Sequence, residues 1–433
     1  MQTRDKLLHE GVLAKFLRYV QVDSPSDERS PTVPSTPQQW DMARLLFEEL
    51  QTMGLQEVRL SPHGVVTAAL PSHLGEAATG PVGAIGLLAH YDTFPGVPGC
   101  GVRPIVHPRY DGSDIRLPAG AVLSPKDEPR LREVVGHDLV TSDGRTLLGA
   151  DDKAGVAEIM EVLCRLIREP QRPHPAVRVA FTPDEETGRG VQHLDVAELG
   201  CVAAYTLDGS EAGELSGENF DALNLVVTLR GISAHTGSAR GRMVNAVHMA
   251  ADLIGSIPAC MRPETTDGRE GFIHVDAVQA SVEEATVKLF VRDFTSEGLA
   301  GKRAMLEQVV ESLRRRYPGS SADVSVVGGY SNMARVLENF PEVMELARRA
   351  IREVGLPVRE RPIRGGTDGA QLAARGLPTP NLFTGGMNYH SRTEWVSVRW
   401  MEQAVDVVLR LLALWAEHLA ASRATSGSAR GQG

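Results

Sequence analysis

Three short apolar runs constrain this chain more than anything else in it. Val82 to Ala89 reads Val-Gly-Ala-Ile-Gly-Leu-Leu-Ala, and the runs Val177 to Thr182 and Val202 to Leu207 are of the same kind. Four to eight residues without polar alternation are what a strand buried on both faces requires, and such strands belong to sheets covered by helices on each side. Helical periodicity supplies the cover. Leu7, Leu8, Val12, Phe16 and Val20 predict an opening helix, Trp40 to Met53 a second, and Ala154 to Ile167 a third just before the middle run. Between Asp23 and Gln39, proline, serine and charges crowd into a loop. Strands alternating with helices predict an α/β fold with a mixed, mostly parallel sheet.

From about Leu215 the texture changes. Leu223 to Leu229 alternates like a half-exposed strand, Met243 to Ile257 is helical, Phe272 to Val278 and Ala285 to Phe294 read as strands, Glu297 to Arg316 as a charged helix, and Ala322 to Val327 as a strand. The order β-α-β-β-α-β predicts a small α+β, ferredoxin-like insert: an antiparallel sheet with two helices on one face. The α/β texture then returns through Glu342 to Val354, Leu377 to Phe383 and a helix from Val398 to Ala420. The expected division is 1–216 and 329–421 for the two parts of the first domain, 217–328 for the insert, and 422–433 for a tail whose serine, glycine, alanine and arginine predict disorder.

Charge and cysteine usage narrow the function classes. The net charge of −10 argues against a nucleic-acid partner, which would call for a basic face. No segment approaches the ~20 apolar residues that cross a bilayer; the best, Val407 to Ala421, is broken by Arg410, Glu417 and His418. The first residues carry charges of both signs and lack a secretory pattern, so a cytoplasmic protein with no membrane partner is expected. Cys100, Cys164, Cys201 and Cys260 lie far apart, with no Cys-x-x-Cys pair, which fits reduced thiols.

Four clusters of potential ligands punctuate this framework. Ala89-His90-Tyr91-Asp92-Thr93, Pro183-Asp184-Glu185-Glu186-Thr187-Gly188 and Leu207-Asp208-Gly209 each follow one of the buried runs, and Gly149-Ala150-Asp151-Asp152-Lys153 follows a loop just before the third helix. Ligands of an open α/β sheet sit outside the carboxyl ends of its strands, so the clusters converge on one rim. Carboxylates at that density repel one another unless cations are present, and two metal ions would resolve this. Imidazole and carboxylate without thiolate suit Zn²⁺, with Co²⁺ or Mn²⁺ also accommodated. Each cluster alone is weak: a His-x-Asp is most often a solvated loop, and Glu-Glu before glycine is commonly a turn. Their joint placement carries the argument. The diglycines Gly365-Gly366 and Gly385-Gly386 match neither a phosphate-binding nor a dinucleotide-binding pattern.

With Gly385-Gly386-Met387-Asn388-Tyr389-His390-Ser391, Val33-Pro34-Ser35-Thr36, Leu123-Ser124-Pro125 and Ile363-Arg364-Gly365-Gly366-Thr367-Asp368-Gly369, these motifs resemble those of the dinuclear zinc aminopeptidases of the M20 metallopeptidase family. The resemblance implies a zinc-peptidase domain and a dimerisation or lid insert. It implies His90, Asp151 and Asp208 on one metal, Asp151, Glu186 and His390 on the other, and Asp92 orienting His90. Glu185 would be the general base, taking a proton from the attacking water and delivering it to the leaving amine. In Ser233-Ala234-His235-Thr236-Gly237, which has threonine where proline is the common form, His235 would reach the active site of a partner subunit in a homodimer. Arg292 and Arg364 are candidates for gripping the carboxylate of a short peptide, a tripeptide by the resemblance, though an ordinary salt bridge would suit either. The open alternatives are a dipeptidase, carboxypeptidase or N-acyl amino-acid deacylase with the same metal site, and a peptide-binding protein without catalysis. The latter would lack a ligand or the base, and none is missing.

Overall fold

A computed structural model of the chain describes residues 3–73 and 83–430. Val82, the expected start of the first buried strand, lies outside the described residues, as do the last three residues of the expected tail. The chain divides into two compact units. Met1–Gly217, Arg335–Arg361 and Thr367–Gly433 make one, and Glu218–Ala334 with Pro362–Gly366 the other.

The first unit is built on an eight-stranded sheet. Its spatial order is Gln56–Leu60, Val66–Leu70, Val177–Thr182, Ala84–His90, Cys201–Gly209, Asn381–Phe383, Glu214–Ser216 and Arg359–Glu360. The three runs that dominate the sequence are its adjacent central strands. They pair in parallel, with His90 opposite Thr182 and Leu88 opposite Thr206, so their carboxyl ends share a rim. Every residue of Ala84–His90 is buried, as a strand covered on both faces requires. Antiparallel pairing of Gln56–Leu60 with Val66–Leu70, and of Val66–Leu70 with Val177–Thr182, makes the sheet mixed.

Helix Ala150–Arg168 packs on this sheet; one glycine allows that approach, and a second allows two neighbouring strands to lie close. A β-carbon on Gly155 would lie 2.0 Å from the Leu207 carbonyl oxygen, and one on Gly86 2.7 Å from the Ala204 β-carbon of the neighbouring strand. The opening helix is in fact two, Arg4–His9 and Val12–Tyr19. Glu10 adopts an extended backbone and Gly11 begins the second helix, yet Leu7, Leu8, Val12, Phe16 and Val20 are all buried as their period predicts. The last helix, Val398–Arg430, continues into the segment for which composition predicts disorder. A further four-stranded sheet joins Gly386–Met387, Trp395–Ser397, Leu139–Thr141 and Ile105–His107. Strands of two or three residues leave no periodic trace in a sequence.

The second unit is an antiparallel sheet in the order Phe272–Ala280, Glu284–Asp293, Asp221–Arg230, Ser321–Tyr330. Alternate residues Leu225, Val227 and Leu229, with Val287 and Leu289, pack against Met249 and Leu253 of helix Ala246–Gly255 and Leu306 and Val310 of helix Ser296–Arg316. The Thr295 hydroxyl accepts from the Gly298 N–H and caps the longer helix, whose last turn carries Arg314, Arg315 and Arg316, favourable at the negative end of the helix dipole. Element order and pairing are those of the predicted α+β insert.

Candidate metal centre

The first unit gathers seven of the singled-out side chains at the carboxyl ends of its central strands. His90 ends Ala84–His90, Asp208 lies one residue before the end of Cys201–Gly209, and Glu185 and Glu186 follow Val177–Thr182 in a single 3₁₀ turn. Asp151 opens helix Ala150–Arg168 in a non-helical conformation, and its Oδ1 lies 2.9 Å from His90 Nε2. Its other oxygen, Oδ2, lies 3.1 Å from Nε2 of His390, which stands in the turn between Gly386–Met387 and Trp395–Ser397. His90 Nε2 is also 3.8 Å from Asp208 Oδ1, and His390 Nε2 is 2.9 Å from Glu186 Oε2.

Two donor groups result, each with its ligand atoms within 4.8 Å of one another and each able to hold a metal ion: His90, Asp151 and Asp208, and Asp151, Glu186 and His390. Asp151 belongs to both.

Buried hydrogen bonds set this geometry. The Asp92 carboxylate, fully buried, accepts from the Glu185 N–H (3.0 Å) and the Glu186 N–H (3.3 Å), and its Oδ1 also pairs with His90 Nδ1 at 3.2 Å. That leaves His90 Nε2 facing Asp151 and Asp208. Asp184, at a positive φ of 54°, is fastened by the Ser35 N–H (2.7 Å), the Ser35 hydroxyl and Gln39 Nε2 (2.7 Å). Asp152 accepts from the His90 N–H and the Gly155 N–H, both at 3.2 Å. The Phe94 ring stacks on the His390 imidazole with centroids 4.1 Å apart and planes 3° from parallel.

Electrostatics make the rim unstable as a bare cluster. Burial pushes the Glu185 carboxyl well above its ordinary range, and Asp208, Asp368 and Glu186 push it further. Burial and the Asp152 and Asp151 charges do the same to Asp208, and burial with Asp151 brings Glu186 up to about 7. For His390, burial disfavours the charge, but hydrogen bonds with Asp151 and Glu186 outweigh it and raise the imidazole to about 10. Glu186 Oε1 is buried with no hydrogen-bond partner. A partnerless buried carboxylate oxygen is costly unless a cation meets it, and two imidazoles with three carboxylates are a donor set that fits a divalent metal.

The remaining candidates belong to the second unit. His235 is exposed, and its Nδ1 accepts from the Gly237 N–H at 3.2 Å. Arg292 lies over the Phe290 and Tyr330 rings and donates through Nη1 to Leu223 O, Asn224 Oδ1 and Val291 O. Arg364, the other candidate for gripping a carboxylate, is engaged within its own unit. Its two Nη groups donate to Gly268 O, Glu270 O, Thr266 O and Thr266 Oγ1, and the guanidinium lies over Phe220 and Phe272. It fastens the 266–270 loop through both Nη groups.

The sequence reasoning missed Glu394, 1% exposed, whose carboxylate accepts three backbone N–H groups around Asp151. It also missed Phe94 and Gln39. Ser35 at least lay in a motif that carried the family resemblance; Glu394, in Ser-Arg-Thr-Glu-Trp, bore no such signal.

The profile of peptidase family M20/M25/M40 matches residues 136–414. A Peptidase T from Geobacillus thermodenitrificans is 42% identical over 410 residues, covering 94% of this chain and 99% of its own. The crystal structure of a tripeptidase from Staphylococcus aureus superposes with a TM-score of 0.72 at 23% identity, covering 96% of this chain and 100% of that one. A dinuclear metal binding peptidase of the M20 family from Bacillus subtilis does so with a TM-score of 0.62 at 15% identity, covering 95% of this chain and 99% of its own.

Proposed function

Because the chain belongs to peptidase family M20/M25/M40, we propose that this metallopeptidase is a two-metal aminopeptidase that removes the N-terminal residue from tripeptides. The observation that carries the reading is the shared Asp151, whose two oxygens face two separate ligand groups. Imidazole with carboxylate favours Zn²⁺, and Co²⁺ or Mn²⁺ suit the same donors. Bound there, two such ions supply a Lewis acid for the scissile carbonyl and lower the pKa of water enough for attack at neutral pH.

The chain's own groups do the rest. Glu185 takes the proton of the attacking water and returns it to the departing amine, its backbone held by the Asp92 carboxylate. Asp92 also fixes the His90 ring, so one buried group orients a ligand and the base together. Arg292 receives the peptide's terminal carboxylate, which is supported by its open side: among the described residues its Nε and Nη2 have no hydrogen-bond partner.

The second unit serves as lid and dimerisation domain in a homodimer, with His235 stabilising the oxyanion in the partner's site. Exposed Val278 on Phe272–Ala280, and Val326 and Val327 on Ser321–Tyr330, support a covered surface at these edge strands. A cytoplasmic setting accords with four free cysteines; no described helix is long and apolar enough to cross a membrane.

Rates on a di-, tri- and tetrapeptide series with free and blocked termini test the reading. The free tripeptide should be cleaved fastest, releasing its first residue. Faster hydrolysis of N-acyl amino acids than of tripeptides would replace it with a deacylase.

A further inference from the structure

Two of the three donors in the group Asp151, Glu186 and His390 stand on turns far apart in sequence, and one buried side chain joins those turns. Glu394 Oε2 accepts the N–H groups of Leu148 (2.7 Å) and Gly149 (2.8 Å), and Oε1 accepts the Asp151 N–H (3.0 Å). Glu394 itself closes the turn that presents His390. That turn is knotted locally: the Ser391 hydroxyl donates to Asn388 O (2.7 Å) and accepts the Thr393 N–H (3.2 Å). Asn388 and His390 both have positive φ, 56° and 59°, a conformation uncommon for L side chains. At the other turn, Gly149 is left-handed (φ 82°) and Asp151 is non-helical, so that backbone too relies on outside partners.

We propose that Glu394 is a positioning residue that sets the register of the Asp151 turn against the His390 turn, and thereby makes the metal site of Asp151, Glu186 and His390. The inference rests on the two-metal reading. Its physical basis is reach. A carboxylate has two acceptor oxygens, and here each is committed to a different part of the 148–151 backbone, so sliding either turn breaks at least one bond in a place closed to water. The group His90, Asp151 and Asp208 depends on this link much less, because His90 and Asp208 are set by adjacent parallel strands. Loss of Glu394 therefore acts unequally on the two ions.

The test is Glu394→Gln in the full-length chain, freed of metal and titrated with Zn²⁺ against a chromophoric chelator, beside the parent and His390→Ala. Glutamine keeps one acceptor oxygen and sets an amide N–H₂ against a backbone N–H. One of the two ions should bind about 10–100-fold more weakly, the usual range for a lost partner of a metal ligand, and it should be the ion that His390→Ala also loses. Circular dichroism establishes that the variants are folded at the titration temperature, since a merely structural role would lower the melting temperature without distinguishing the ions. Glu394→Asp, which keeps the charge but shortens the reach, should show the same selectivity even where the glutamine variant does not fold. Equal weakening of both ions, or two affinities within twofold of the parent, overturns the proposal. A parent that takes up fewer than two ions overturns the two-metal reading, and this proposal with it.

Discussion

Replacing Asp92 by asparagine asks how much a single buried carboxylate contributes to the site. Its Oδ1 serves both His90 Nδ1 (3.2 Å) and the Glu185 N–H (3.0 Å), and its Oδ2 serves the Glu186 N–H (3.3 Å). Asparagine has the same shape but one acceptor. In the cheaper orientation its oxygen takes the Oδ1 place, keeping His90 and Glu185, while its N–H₂ group faces the Glu186 N–H. One hydrogen bond to a charged group is then lost in a buried place, about 1.5–3 kcal/mol. If the cost falls on the metal-competent geometry, Zn²⁺ affinity drops about 10- to 150-fold, at 1.4 kcal/mol per decade. The opposite orientation would break two contacts and cost more. Competition with a chelator on the purified, folded variant reads the affinity directly, and turnover at saturating metal shows how far Glu185 has moved. Affinity within threefold of the parent, together with unchanged kcat, would refute the assignment of Asp92 as the group that orients both ligand and base.

Glu185→Gln should retain metal and peptide binding and lose about 10²–10⁴-fold in kcat, the usual worth of a general base; near-parent turnover would remove Glu185 from the mechanism. His235→Ala should lower kcat at unchanged metal content, because a donor to a developing oxyanion acts mainly in the transition state. If His235 works across a dimer, mixing the inactive Glu185→Gln and His235→Ala proteins into verified mixed dimers should restore activity, and no recovery would place His235 in its own chain's site or outside the reaction.

Much of the architecture is legible in the sequence because its central strands are unbroken apolar runs that no amphipathic helix would show. Val177–Thr182 is observed with the bounds its composition predicts. Its neighbours differ by a residue or two: Cys201–Gly209 extends past Leu207 to carry Asp208 within the strand. The alternation of Leu225, Val227 and Leu229 likewise reveals one buried face of the second sheet. The break at Gly11 was hidden because the apolar stripe runs through it undisturbed.

The site divides in the same way. Ligand candidates stand out because acids and histidines cluster after strands, where nothing structural requires them. The groups that hold them do not stand out: Glu394 is read as one more acid, and Gln39, 145 residues from the Asp184 it grips, as the last residue of a loop. Arg364 shows the converse, since its pairing with the 266–270 backbone depends on a loop that no local pattern brings to it.

Asp151 is proposed to join two metal sites that act together on a free tripeptide. Metal-free protein titrated with Zn²⁺, with hydrolysis of a tripeptide and identification of the released residue followed at each addition, tests it most directly. Turnover should be negligible without metal and full only as the second equivalent per chain is bound, with release of the N-terminal residue. Full activity in metal-free protein, or no tripeptide hydrolysis with two ions bound, would contradict it.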